Sequence, residues 1–235
     1  MPTYNFNLNR DEVIKGALRI LGVISQGETP DAAQIADGAE ALNVLIKAYE
    51  SEGMPVWAIK TQTITPVAST NPIVIGTSQT VNIPKPERIY QAFYTTTATN
   101  ISINMSRLSQ EQYWSLSNRS QEGTPTQYYW DDKNTFGNLY LYLVPDANFA
   151  ADNTITIVYQ APFADFDVNT DVPDFPQYWL RALKYGLADE ISMEYGYPIK
   201  DRQELMLRAE KYKDEALSFV QEENSYFFQI DTYRR

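Results

Sequence analysis

Thr126-Gln-Tyr-Tyr-Trp-Asp-Asp-Lys-Asn-Thr-Phe-Gly-Asn-Leu-Tyr-Leu-Tyr-Leu-Val144 is the stretch from which the fold is read. Its second half, Asn138–Val144, alternates leucine with tyrosine, the period of two that a half-buried strand requires. Its first half, Thr126–Asp131, is rich in aromatic residues that favour strands. Between them, Asp132–Gly137 supplies turn residues, so the two halves predict an antiparallel hairpin.

The same grammar extends on both sides of the hairpin. Short β-branched and aromatic runs bounded by turn signals predict strands at Lys60–Thr65, Ile73–Ile75, Thr80–Ile83, Arg88–Thr95, Asn100–Asn104 and Thr154–Gln160. Ser109-Gln-Glu-Gln112 reads as the cap of a short helix carrying Tyr113, Trp114 and Leu116. Residues 59–175 hold 16 of the 19 threonines and 8 of the 13 prolines, so this block is set apart from its flanks by composition. Its strand spacing predicts an antiparallel sandwich or barrel-like module, not a βαβ sheet.

The flanks are helical. Asn9 with Glu12 forms a capping box, and Val13, Ile14, Ala17, Leu18 and Leu21 give one apolar face to about Ile24. Thr29-Pro30-Asp31 opens a second helix with the face Ile35, Ala39, Leu42, Ile46 and Tyr49, stopped by Gly53. Pro176 opens a third with Trp179, Leu183, Leu187, Ile191 and Tyr195, stopped by Gly196 and Pro198. A fourth, from about Lys200, carries Leu205, Ala209, Tyr212, Ala216 and Phe219. The expected fold is therefore α+β. Residues 1–58 and 176–223 form an antiparallel helical bundle from both chain ends, residues 59–175 are the inserted β-rich module, and residues 224–235 are an aromatic extension.

Composition narrows the chemistry. The chain has no cysteine and no histidine. Disulfides, thiolate nucleophiles and the commonest general base and metal ligand are thereby excluded. A metal would need an all-oxygen site, and no EF-hand spacing, P-loop or Gly-x-Gly-x-x-Gly occurs, so no cofactor is expected. No run approaches the ~20 apolar residues of a membrane span, and Met1–Phe6 lacks the regions of a signal peptide. These features predict a soluble protein, made in the cytoplasm in a bacterial setting, with no membrane anchor. The net charge of −11 opposes wrapping of nucleic acid, but an acidic lining would let a duplex slide past.

Paired carboxylates are the one catalytic pattern to weigh. Asp131/Asp132, Asp165/Asp167 and Asp171/Asp174 offer the acid and base of glycoside cleavage, with Tyr128, Tyr129 and Trp130 as sugar-stacking neighbours. Each has a plainer use. Asp131 and Asp132 begin a turn, and Asp171 and Asp174 flank Pro173 ahead of a helix. The sharper signal is the C-terminus, where Tyr226, Phe227, Phe228, Ile230 and Tyr233 precede Arg234 and Arg235. Aromatics with arginine are the residue types of interface anchors.

Taken together, Pro86-Glu-Arg-Ile-Tyr-Gln-Ala-Phe93, Leu108-Ser-Gln-Glu-Gln-Tyr-Trp114, Gly123-Thr-Pro-Thr-Gln-Tyr-Tyr-Trp130 and Leu139-Tyr-Leu-Tyr-Leu-Val-Pro145 resemble the head-to-tail adaptor proteins of short-tailed bacteriophages. That family is also called tail accessory, head-completion or tail tubular A proteins. Asp174-Phe-Pro-Gln-Tyr-Trp179 and Glu194-Tyr-Gly-Tyr-Pro198 extend the resemblance over nearly the whole chain. It implies a structural, non-enzymatic protein of the virion. Such a protein forms a dodecameric ring between the portal and the tail nozzle or tail fibre proteins, and its bore passes genomic DNA. It also implies that residues 224–235, with Tyr226, Phe227, Phe228, Ile230, Tyr233, Arg234 and Arg235, dock onto the portal. The alternatives are a tail-associated glycan hydrolase using Asp131, Asp132, Asp165 or Asp167, and a β-module that binds a receptor or host glycan.

Overall fold

A computed structural model describes residues 6–52, 58–172 and 175–219 of the chain. In chain order they begin with α1 (Arg10–Ile20), α2 (Ala32–Ser51), β1 (Ile59–Ile64), β2 (Ile73–Ile75), β3 (Arg88–Thr96) and β4 (Ser102–Arg107). There follow α3 (Gln110–Ser115), β5 (Glu122–Gly123), β6 (Gln127–Asp132), β7 (Gly137–Tyr142), β8 (Val144–Pro145), α4 (Ala147–Asp152) and β9 (Asn153–Gln160). A 3-10 turn at Gln177–Trp179 leads into α5 (Leu180–Ile191), and α6 (Ile199–Ser218) is the last described element. The architecture is α+β. Grouped by internal contacts, residues 54–163 make one unit, and residues 1–53 with 164–235 make the other.

In the β-rich unit the hairpin of residues 126–144 is β6 paired antiparallel to β7, with Tyr128 opposite Leu141 and Trp130 opposite Leu139. It belongs to a seven-stranded sheet in the order β1-β9-β3-β4-β6-β7-β2. Every neighbouring pair is antiparallel except β4 and β6, which run parallel at Ser106 and Gln127. Where a sandwich or a barrel-like module was expected, the strands form a curled, mostly antiparallel seven-stranded sheet, with β5 and β8 paired apart from it. The reason lies in one core cluster that takes Ile64 from one edge strand and Ile73 and Ile75 from the other. Curling the sheet until both edges share a core removes the need for a facing second sheet.

Three local expectations differ. Thr80–Ile83 is not a strand: only Val81 bridges to Ile75, because the chain turns tightly there with Ser78 at φ 62°. β4 starts at Ser102 instead of Asn100, since Asn100 has φ 54° and donates its N–H to the Thr96 carbonyl in a turn. The helix α4 was not signalled by periodicity, being a single turn capped by Asp146, whose Oδ1 accepts from the Phe149 N–H at 2.7 Å.

In the helical unit the capping box of α1 forms as read, from Asn9 and Glu12. The N-cap of α2 is Asp31, not Thr29, and Gln34 completes its box. α1 ends at Ile20 because Gly22 turns to φ 71°, yet Leu21 and Ile24 stay buried. Trp179 lies in the 3-10 turn and is fully buried, with Tyr49 and Phe175 rings at 5.9 and 5.7 Å. Tyr195 falls beyond the end of α5, and Phe219 is 75% exposed, so neither continues its predicted core face. α5 packs against α1, α2 and α6 and buries seven of its twelve residues.

Two glycines show how close these approaches are. A Cβ on Gly38 of α2 would stand 2.6 Å from Cγ2 of Ile14, which is fully buried and β-branched and has no alternative rotamer to retreat to. A Cβ on Gly16 of α1 would meet only the far end of Lys184, at 2.9 Å, which swings aside. Alanine gains up to about 1 kcal/mol over glycine inside a helix, while overpacking costs about 1–3 kcal/mol. Gly16→Ala is therefore expected to raise the free energy of unfolding by about 0.5–1 kcal/mol and Gly38→Ala to lower it by about 1 kcal/mol, measured by denaturant titration.

Candidate interaction surfaces

The outer face of the β6–β7 hairpin carries an aromatic cluster. Strand alternation sends Tyr128 and Trp130 into the core and Tyr129 outward, where it stacks on Tyr140 across the hairpin at 5.8 Å. The capping box of Ser109 and Gln112 starts α3, which lays Tyr113 over this pair, 5.4 Å from Tyr129 and 5.0 Å from Tyr140. Trp114, the next residue, is 49% exposed. The Arg119 guanidinium lies 5.0 Å over its ring and donates from Nη1 to the carbonyls of Trp114 and Leu116. Arg119 thereby holds the half-exposed Trp114 indole in one orientation.

Asn71 fixes this cluster, and sequence reasoning did not single it out. Its side chain acts as a short strand: Oδ1 accepts from the Leu141 N–H at 2.9 Å and Nδ2 donates to the Leu141 carbonyl at 3.1 Å. Nδ2 also approaches the Tyr113 hydroxyl at 3.4 Å. Burial pushes the Tyr113 phenol up, against the smaller pull of Asn71, so the hydroxyl stays neutral. Truncating a buried aromatic costs about 3–5 kcal/mol, whereas exposed positions change stability by about 0.5 kcal/mol or less. Tyr129→Ala is expected to lose about 3 kcal/mol of stability and Trp114→Ala about 0.5 kcal/mol, a contrast that thermal or denaturant unfolding reads directly.

The helical unit exposes apolar side chains along α6 and its approaches. Ile199, Met206 and Leu207 are 81%, 44% and 61% exposed, and Met193, just past α5, is 68% exposed. Around Leu207 the surface mixes both signs of charge, with Lys211 among Glu210, Asp214 and Glu215. Between α2 and the end of α5, by contrast, is a groove of one sign, lined by Asp37, Glu40, Glu190 and Glu194 beside the exposed Val44.

The paired aspartates are not gathered at one place. Asp131 and Asp132 are consecutive on β6 and so face opposite sides of the sheet. Asp131 pairs with Lys133 at 3.0 Å and Asp132 with Lys85 at 2.7 Å. Asp165 pairs with Lys47 at 3.2 Å. The Asp171 carboxylate accepts from the N–H groups of Asp167 and Val168 at 2.9 and 2.7 Å, closing a turn. Asp174 lies outside the described residues, as do Tyr226, Phe227, Phe228, Ile230, Tyr233, Arg234 and Arg235. Among the described residues no group of carboxylates is arranged to hold a metal ion, and no helix is long and apolar enough to cross a membrane.

One carboxylate is out of place electrostatically. Asp189 of α5 lines a cleft between α2, α5 and α6 with Tyr49, Met206 and Lys213, and its Oδ1 is buried without a hydrogen-bond partner. Burial raises its pKa above the ordinary aspartate value, Arg202 opposes the rise and Glu210 adds to it. An acid whose folded pKa is raised binds its proton more tightly in the folded state. Its contribution to stability is therefore fully present below the ordinary value of 3.8 and is lost as pH rises through the folded pKa. Asp189→Asn is expected to be more stable than the parent at pH 7 and to flatten the fall in stability above pH ~4, measured by denaturant midpoints across pH.

No protein-family model matches the chain, and no curated protein matches it in sequence.

Proposed function

We propose that the chain is a structural adaptor of a bacteriophage virion. Copies of it assemble side by side into a ring that joins a portal to a tail nozzle and passes DNA through its bore. In this reading the helices of the two chain ends form one antiparallel bundle that builds the ring wall, and the β-rich unit meets a second ring. The observation that carries the reading is the exposure of Ile199, Met206 and Leu207 on α6, apolar surface that a neighbouring copy would cover. A ring closes only through a head-to-tail contact between two different patches of each copy. The acid-lined groove by Val44 and the apolar, charge-mixed side of α6 are two such patches.

The resemblance of the motifs between Pro86 and Pro145 to head-to-tail adaptors supports the same conclusion. The preorganised Trp114–Arg119 contact suits the attachment of a second component on the β-rich unit. A net charge of −11 keeps a passing duplex from adhering to the bore. Residues 224–235 are the arm that docks onto the portal in this reading.

Imaging of the purified protein with a portal tests the proposal. A ring is expected for the parent chain. Leu207→Asp, which changes only an exposed side chain, is expected to stay folded and lose the ring, with association weakened at least tenfold, or about 1.4 kcal/mol. Removal of residues 225–235 is expected to leave the fold intact and abolish attachment to the portal. A parent chain that stays monomeric in the presence of its portal overturns the proposal.

A further inference from the structure

The seven-stranded sheet ends in an open edge. β1 pairs on one side with β9, and among the described residues no strand pairs with its other side. The direction of its backbone groups follows from the register. Ala161 donates its N–H to the Ala58 carbonyl, so Ala58, Lys60, Gln62 and Ile64 turn their backbone groups toward β9. Ile59, Thr61 and Thr63 therefore turn theirs to the open side, where one carbonyl, that of Thr63, is taken by the side chain of Gln62 at 2.8 Å. Beside this edge runs a cleft of about 370 Å³ whose apolar lining comes from Ile64, Val67, Ile73, Val81 and Ile83. None of the residues lining it is charged, although the chain carries a net charge of −11.

We propose that this edge receives, by strand addition, the Ser225–Ile230 segment of a neighbouring copy of the chain. The segment is Ser-Tyr-Phe-Phe-Gln-Ile, six uncharged residues of high strand propensity, bounded by Glu222-Glu223 and Asp231. Its length matches the six residues of β1. Its lack of charge matches the uncharged cleft, into which alternate aromatic side chains of an added strand would project. An uncovered edge of this kind is a template for aggregation, which gives the chain a reason to cover it before a portal is engaged. The inference rests on the ring reading only in placing a second copy alongside the first, and it concerns the protein without its portal.

The test uses a fluorescent peptide of residues 225–235 and the chain ending at Asn224. Saturable binding is expected, with slowed amide exchange at Thr61 and Thr63. Thr61→Pro removes an N–H on the open side without touching the β9 ladder and is expected to weaken binding at least tenfold. Peptides N-methylated on alternate residues repeat that test on unaltered protein: one of the two phases should lose binding and the other keep it. Binding that is absent, that leaves Thr61 and Thr63 unprotected, or that ignores both changes overturns the proposal. Because the chain has no cysteine, Thr63→Cys combined with Phe228→Cys identifies the donor. Oxidation is expected to give disulfide-linked oligomers, and a product linked only within single chains overturns the assignment to a neighbour. None of these readouts needs a portal, so their failure is separate from failure of the ring.

Discussion

A sheet with one apolar face must bury that face, and among the described residues the only other sheet is the two-residue pairing of β5 with β8. The β-rich unit meets the constraint by curling. Ile64 on β1 and Ile73 and Ile75 on β2 come from opposite edges of the sheet and reach one core, together with Ile89, Leu139, Leu141, Ile155 and Ile157 between them. Phe149 of the single-turn helix α4 completes the filling, with its ring against Tyr94 at 5.1 Å. Because the inner face is consumed in this way, the residues that alternate with it are left on the outside. That is why Tyr129 and Tyr140, not Tyr128 and Trp130, make the aromatic surface beneath α3.

The helical unit obeys a parallel constraint through α5. Its glycine and alanine positions, Ala182, Gly186 and Ala188, are buried and let neighbours approach closely. The Tyr49 ring uses the space above Gly186. α6, by contrast, buries only Leu205, Ala209 and Ala216 over twenty residues. Its leucine and methionine side chains sit among ion pairs such as Arg208–Glu204 and Lys211–Glu215, which are exposed and add little to stability. Of the carboxylates that first invited a catalytic reading, Asp131, Asp132 and Asp165 are in ion pairs and Asp171 closes a turn.

Much of this was legible from residues close together in the chain. The boxes at Asn9/Glu12 and Ser109/Gln112 and the hairpin at 126–144 each depend on atoms within a few residues or across one tight turn. Where local signals competed, the reading went astray. Thr29 and Asp31 are both good caps, and only the fold of the loop selects Asp31. Thr80–Ile83 has strand composition, but the turn at Ser78 leaves it a single bridge. Asn71 looks like any residue before a proline, and its role appears only because Leu141, seventy positions later, lies beside it.

The amino-acid sequence therefore determined the α+β class, the starts of α1 and α3, the main hairpin and the absence of thiol and imidazole chemistry, because propensity, capping and alternation act over one to four residues. Tertiary structure alone decided that the strands form one curled sheet with a parallel β4–β6 step, which aromatics face outward, and that β1 is left with an open edge. Those are properties of pairing between distant segments. The sequence Ile-Lys-Thr-Gln-Thr-Ile carries the same propensity whether it lies at the centre of a sheet or at its rim. What makes it an edge is the strand order, in which β9 takes one side and no described strand takes the other, and no run of neighbouring residues encodes that.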